Sequence, residues 1–156
     1  MTPTENLFWP YLLPIFETQK TKNGVVYIQK GSGNGMERMM EDTTSENVYP
    51  GIFTFLPIYS TKLTENHLLL AEFNTVFYVW CKPEDSERET EDAAYAHAEK
   101  IVSEIVETLQ KDRREYKNFM DFDSIRIEPV HYLSVDTAVG YEVKMKLALA
   151  ANHIYG

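Results

Sequence analysis

The residues best suited to chemistry in this chain are His67, His97, His131 and His153, the single cysteine Cys81, and several groups of carboxylates. A histidine can serve as base or metal ligand, and a cysteine as nucleophile. Zinc sites draw their ligands at short, regular spacings, and no histidine here stands at such a spacing from another or from Cys81, which argues against zinc. Cys81 ends an apolar strand pattern. There a small buried residue is the expectation, and nucleophilic use would need a histidine brought close by folding. His97 falls beside the apolar stripe of a helical pattern and reads as a partly exposed surface residue. Asp121 and Asp123 flank Phe122, and Asp136 sits in a turn pattern; such carboxylates could share a proton, but turn and cap roles explain all three. Glu84, Asp85, Glu87, Glu89, Glu91 and Asp92 lack the glycine and the ligand spacing of a calcium loop and read as a solvated helix start. Gly31, Gly33 and Gly35 follow a strand pattern, yet the third glycine comes one position early for G-x-G-x-x-G and no Lys-Ser/Thr follows. The residues therefore predict no enzyme, no catalytic group, no metal and no cofactor.

The element that must position everything else is a helix predicted from about Ser86 to Tyr116. Ala94, Ala98, Ile101, Val102, Ile105, Val106 and Leu109 recur at helical spacing, with Glu99, Lys100, Ser103, Glu104, Glu107 and Lys111 between them. Ser86 with Glu89 has capping-box spacing, and acidic first turns with basic last turns complement the macrodipole at about 0.3 to 1 kcal/mol per charge. Such a stripe needs a sheet to lie on. Leu68 to Lys82 is predicted as the longest strand, with Ala71, Phe73, Thr75, Phe77, Val79 and Cys81 on one face. Its other face turns apolar toward the end through Val76, Tyr78 and Trp80, so that end is expected to be buried on both sides or at an interface. Shorter strands are predicted at Val25–Gln29, around Ile52–Phe55, and at Ile125–Val130, and a half-exposed strand from Gly140 to about Ala150. Leu7, Phe8, Tyr11, Leu12, Ile15 and Phe16 predict a short helix, which Pro10 and Pro14 can kink, docking Trp9, Phe8 and Phe16 on the body; the alternative is an extended arm that packs on a neighbouring subunit. The fold class expected is α+β: a mostly antiparallel sheet of about five strands on one long amphipathic helix, with a short N-terminal helix. Residues 1–156 form a single domain, with a flexible loop at about 31–47.

Composition sets outer limits. The chain has 156 residues and is 44% hydrophobic, enough for one core and too apolar for disorder. A formal charge of −9 argues against a general grip on nucleic acid, which needs clustered Lys and Arg. One cysteine excludes an intrachain disulfide. The N-terminus lacks a basic n-region, and no run approaches the roughly 20 apolar residues of a membrane span. A cytoplasmic product that binds neither membrane nor specific nucleic acid is expected.

Taken in order, the chain shows a helix, a short strand, a long loop, a strand, a long strand, an amphipathic helix and two closing strands. Within it, Tyr49-Pro50-Gly51-Ile52 enters a strand, Phe73 to Trp80 ends at Pro83, an acidic lead opens the helix, and Gly140-Tyr141-Glu142-Val143 opens the last strand. In this order and pattern, from Tyr49 to Leu149, the chain resembles the tail-terminator and minor tail proteins of long-tailed bacteriophages. The resemblance carries no diagnostic motif, and Pro10, Pro14 and the long Gly31 to Asn47 loop depart from it. It implies a small α+β subunit that assembles as a ring with its own copies and with other tail or head-completion proteins. That subunit would be cytoplasmic before assembly and in the virion tail afterwards, with an acidic lumen that DNA slides past. The ring interface would use Trp80, Tyr78 and Val76, left as an apolar patch on the strand, with Met36, Met39 and Met40 of the loop. Two other readings stay open. One is a ligand-binding domain with a pocket between helix and sheet lined by Phe53, Phe55, Phe73 and Phe77; the other is a hydrolase or isomerase using a histidine and a carboxylate in that cavity.

Overall fold

The computed structural model describes residues 1–31, 48–84, 87–131 and 137–155. After a π-helical turn at Thr4–Phe8 come α1 (Trp9–Asn23), β1 (Tyr27–Lys30), β2 (Gly51–Thr54), β3 (Ile58–Leu63) and β4 (Leu69–Cys81). Then follow α2 (Arg88–Arg114), a 3-10 turn at Phe122–Ser124, β5 (Arg126–His131), β6 (Val139–Ala150) and a last helical turn, α3 (Asn152–Tyr155). The fold is α+β, with a six-stranded sheet in the order β1-β2-β4-β6-β5 and β3 attached to β4 beside that path. Every pairing is antiparallel except that of β1 with β2.

β4 is the spine. One of its flanks is paired over its length with β6, from Leu70 opposite Ala150 to Cys81 opposite Val139. Its other flank is shared: β2 takes Phe77 to Trp80 and β3 takes Leu69 to Asn74. The sequence predicts a strand centred on Ile52–Phe55, which is β2, and none at Ile58–Leu63, where β3 forms. Pro57 cannot donate to a ladder and breaks the run between them, which makes six strands where about five were expected.

Both helices cover the same sheet face. Ala94, Ala98, Ile101, Val102, Ile105 and Leu109 of α2 are buried there, with Phe73, Phe77, Val143, Met145 and Leu147 of the sheet. The predicted stripe is thus the buried one, with Val106 half-buried at its margin. The short N-terminal helix forms and runs on to Asn23: Pro10 stands at the start of α1, directly after the π-helical turn, and Pro14 lies on the exposed side. Its apolar side keeps its contacts: Phe8 stacks against Phe73 at 5.0 Å between ring centroids and Phe16 against Phe77 at 5.0 Å. Gly24, at φ +71°, ends α1 in the left-handed conformation that glycine adopts without a side-chain penalty. Ser86 lies outside the described residues; the helix begins from Glu87.

Two polar links tie α1 to α2. Asn23 donates to Gln19 and to the Glu104 carboxylate, and His97 Nε2 lies 2.8 Å from the Asn23 carbonyl. Glu104, expected on a wet face, is therefore half-buried and bonded. At the other end Asn118, fully buried, donates to the Tyr11 hydroxyl at 2.8 Å and to the Leu109 carbonyl at 3.0 Å, and accepts from the Met120 N–H at 3.3 Å. Tyr11 in turn donates to Asp112 at 2.8 Å. Removing one partner of buried polar groups leaves the others desolvated and unpaired. We expect Asn118→Leu to cost about 2 to 3 kcal/mol, read as a lower urea midpoint at unchanged slope. An unmoved midpoint would show that this link does not hold the helices.

Candidate functional site

The face of the sheet turned away from the helices carries the three predicted interface residues that are described. Side chains alternate across a strand, so Val76, Tyr78 and Trp80 of β4 point there together with Phe53 of β2 and Glu142 and Lys144 of β6. At one end of this face lies a second, smaller apolar cluster: Val48, Phe53, Trp80 and Ala138, with Tyr27, Tyr49, Phe55, Tyr78 and Val130 half-buried around it. Trp80 is 2% exposed. The expected patch centred on Trp80 is corrected accordingly. Gly140 stands opposite Trp80, so close to the β4 backbone that no Cβ would fit, and Val48 and Ala138 are buried with the indole in the same cluster.

Of the predicted interface residues on this face, Tyr78 and Val76 are half-buried and keep some contact with solvent. The Tyr78 and Trp80 rings stack at 5.7 Å with 3° between their planes, and Phe55 meets Tyr78 edge-on at 5.7 Å. The Tyr78 hydroxyl donates to Glu142, whose other oxygen lies 3.4 Å from Lys144 Nζ. Burial, reinforced by the Glu142 carboxylate, pushes the Tyr78 hydroxyl well above the usual phenol range, so it stays a donor at neutral pH. Val76 lies further along, in a shallow depression of about 600 Å³ bordered by Asn74, Asp121, Arg126, Lys144 and Lys146. Met36, Met39 and Met40, the other predicted interface residues, lie outside the described residues.

The ligand pocket envisaged between helix and sheet does not form. Phe73 and Phe77 are fully buried under the helices, whereas Phe53 and Phe55 belong to the opposite face, because Phe53 pairs with Tyr78 and not with Phe77. No single cavity can take all four. Of the three aspartates, Asp121 has the anticipated cap role: its Oδ1 accepts from the Asp123 N–H at 3.0 Å at the 3-10 turn, while Asp136 lies outside the described residues.

Folding does bring Cys81 and His97 to one cleft of about 470 Å³, along with Tyr49, Lys82 and Glu89. The thiol there is 3% exposed, and burial pushes its pKa up to about 12. A nucleophilic thiol needs the opposite shift. His97 Nε2 is already engaged with the Asn23 carbonyl. Among the described residues no three of His, Cys, Asp and Glu converge as a metal set, and no helix is long and apolar enough to cross a membrane.

One feature went unread in the sequence. β3 is exposed along its whole length, with Ile58 at 77%, Leu63 at 62% and Tyr59 at 40%. A signal was present: Tyr59-Ser60-Thr61-Lys62-Leu63, bounded by Pro57 and by a Thr64 to Asn66 turn, is the first arm of a hairpin whose second arm had been identified.

Comparison with known proteins finds no matching family model and no matching curated protein.

Proposed function

We propose that this chain is a structural subunit of a phage or prophage tail, similar to tail-terminator or head-tail joining proteins, that assembles head to tail into a ring. The observation that carries the reading is the order and layering of the elements: helix, strands, amphipathic helix, closing strands, with both long helices on one sheet face and, among the described residues, no helix on the Tyr78 and Val76 face. A formal charge of −9 suits a lumen along which DNA must not stick. In this reading the protein works by association, not catalysis. Its partners are further copies of itself and neighbouring tail or head-completion proteins, first in the cytoplasm and then in the virion tail.

The variant that tests it follows from burial. Substituting Trp80 would disturb the small cluster, whereas Val76 is half-buried and sits opposite Lys144. We expect the purified protein to form rings visible by negative stain at rising concentration or on addition of tail tubes. Val76→Glu should remain a folded monomer with at least about a tenfold loss of ring assembly, since a charge desolvated at an interface centre costs on the order of a few kcal/mol. Rings formed equally well by Val76→Glu would remove this face from the interface. The absence of rings with and without tail tubes would remove the function.

A further inference from the structure

β3 bonds β4 along one flank, and among the described residues no strand lies along the other. The phase of the hairpin is set by the Thr64 N–H, which donates to the Leu68 carbonyl at 2.9 Å. In an antiparallel ladder the N–H and C=O of one residue point to the same neighbour and those of the next point away. Ile58, Ser60 and Lys62 therefore bond β4, while Tyr59, Thr61 and Leu63 turn their N–H and C=O groups outward. Open edges are normally blunted by proline or charge. β5, at the far edge of the sheet, carries both devices: Pro129 has no N–H, and Arg126 pairs with Glu128 at 2.8 Å beside it. β3 has no proline, a single charge at Lys62, and three exposed large apolar side chains.

We propose that the free flank of β3 pairs with β3 of a second copy, antiparallel and centred on Thr61. The strand's self-complementarity identifies the occupant. A twofold axis normal to the sheet keeps each face on its own side, so with Thr61 facing Thr61 of the second copy, Tyr59 faces Leu63 and Leu63 faces Tyr59. Every outward N–H and C=O of these residues then finds a partner. On the helix side Tyr59 already lies against Phe73, at 5.3 Å between ring centroids, and Leu63 pairs with Leu69. The junction joins these into one apolar row. On the other side Lys62 meets the small Ser60 of the second copy, beyond which lies Glu72, the neighbour of Ser60 on β4. Neither Lys62 nor Glu72 has an ion pair among the described residues, so the charges complement one another across the junction. Centring on Ser60 instead would set Lys62 against Ile58 and leave Leu63 facing Pro57, which has no N–H to give. The contact is twofold and goes beyond the ring reading, whose head-to-tail contact it neither requires nor excludes. An edge pairing of this length buries less than about 1,200 Å² and belongs to the weak class, near micromolar to millimolar affinity.

Sedimentation velocity over a concentration series should show a monomer passing to a dimer. Thr61→Pro removes an outward N–H without touching the bonds to β4 and should shift the midpoint at least about tenfold in concentration, with unchanged circular dichroism. A cross-linking pair tests the register. Directly opposed, hydrogen-bonded residues have Cα atoms about 5.5 Å apart, within disulfide range, whereas diagonal neighbours at about 7 to 8 Å fall outside it. Under mild oxidation Thr61→Cys should therefore form covalent dimer at least about tenfold faster than Ser60→Cys, with the buried Cys81 silent in both. A protein monomeric at every concentration overturns the proposal, as does a dimer that Thr61→Pro leaves intact. Should Thr61→Pro unfold the chain, the cross-linking ratio decides, and equal rates at positions 60 and 61 overturn it. A monomer that instead captures an extended peptide along β3 assigns the flank to another protein and also overturns it.

Discussion

Gly140→Ala should lower stability by about 3 kcal/mol or more, at the upper end of what added atoms cost in a close-packed interior. A Cβ at position 140 would lie 1.7 Å from the Val79 carbonyl oxygen, 2.8 Å from its carbon and 3.2 Å from the Trp80 Cα. All three are backbone atoms of β4, so no side chain can swing aside; β6 would have to move off β4. It would do so where the sheet is buried on both faces, with Val79 under the helices and Trp80 under Val48 and Ala138. Denaturation followed by the near-ultraviolet signal of the aromatic cluster reads both losses together. A variant within about 1 kcal/mol of the parent would show that the strands yield at this point and that the close approach is not a constraint. Glycine is required here by proximity, not by backbone angle, which explains a Gly-Tyr pair opening a strand where β-propensity alone would disfavour glycine.

Ile105→Ala should cost about 2 to 5 kcal/mol, because Ile105 is fully buried at the centre of the α2 stripe and its removal leaves a cavity between helix and sheet. Ser103→Ala, two positions earlier on the exposed side, should stay within about 0.5 kcal/mol. Similar shifts in the two denaturation midpoints would mean that the helix faces the sheet differently. Glu104 is not a neutral control, since its carboxylate accepts from Asn23.

The elements legible in the sequence were those with a long, clean period. α2 and β6 lie within a few residues of their predicted spans, and β4 matches the pattern that placed Phe73 and Phe77 on one face. Where the reading fell short, the outcome depended on partners that a local pattern does not contain. The two prolines of α1 suggested a shorter, kinked helix, and only the position of the sheet shows that Pro14 can face outward. Trp80 stands at a strand end expected to be buried on both sides or at an interface, and the reading of it as part of a patch followed from one helix covering only one face; within the chain it is buried with Val48 and Ala138, residues that precede distant strands. The four phenylalanines looked like one cavity, but a register in which Phe53 opposes Tyr78 divides them between faces. Of the predicted interface, Tyr78 and Val76 are where the alternation put them. The flank of β3 that no described strand covers was not legible, because a strand becomes an edge only when no neighbour lies along it.

The double pairing of β4 also bears on how the chain reaches this structure. Its junction with β3 is a tight hairpin that closes over a few residues, whereas its junction with β6 joins Cys81 to Val139 and Leu70 to Ala150, with the whole of α2 in between. Contacts so distant along the chain carry a large loop-closure entropy before they return any stabilisation, and high contact order slows folding. Early in folding, the β3–β4 hairpin and the nascent α2 can form from local contacts alone, but the inner flank of β4 stays unpaired until β6 arrives. During that interval the strand that becomes the centre of the sheet is open on one side.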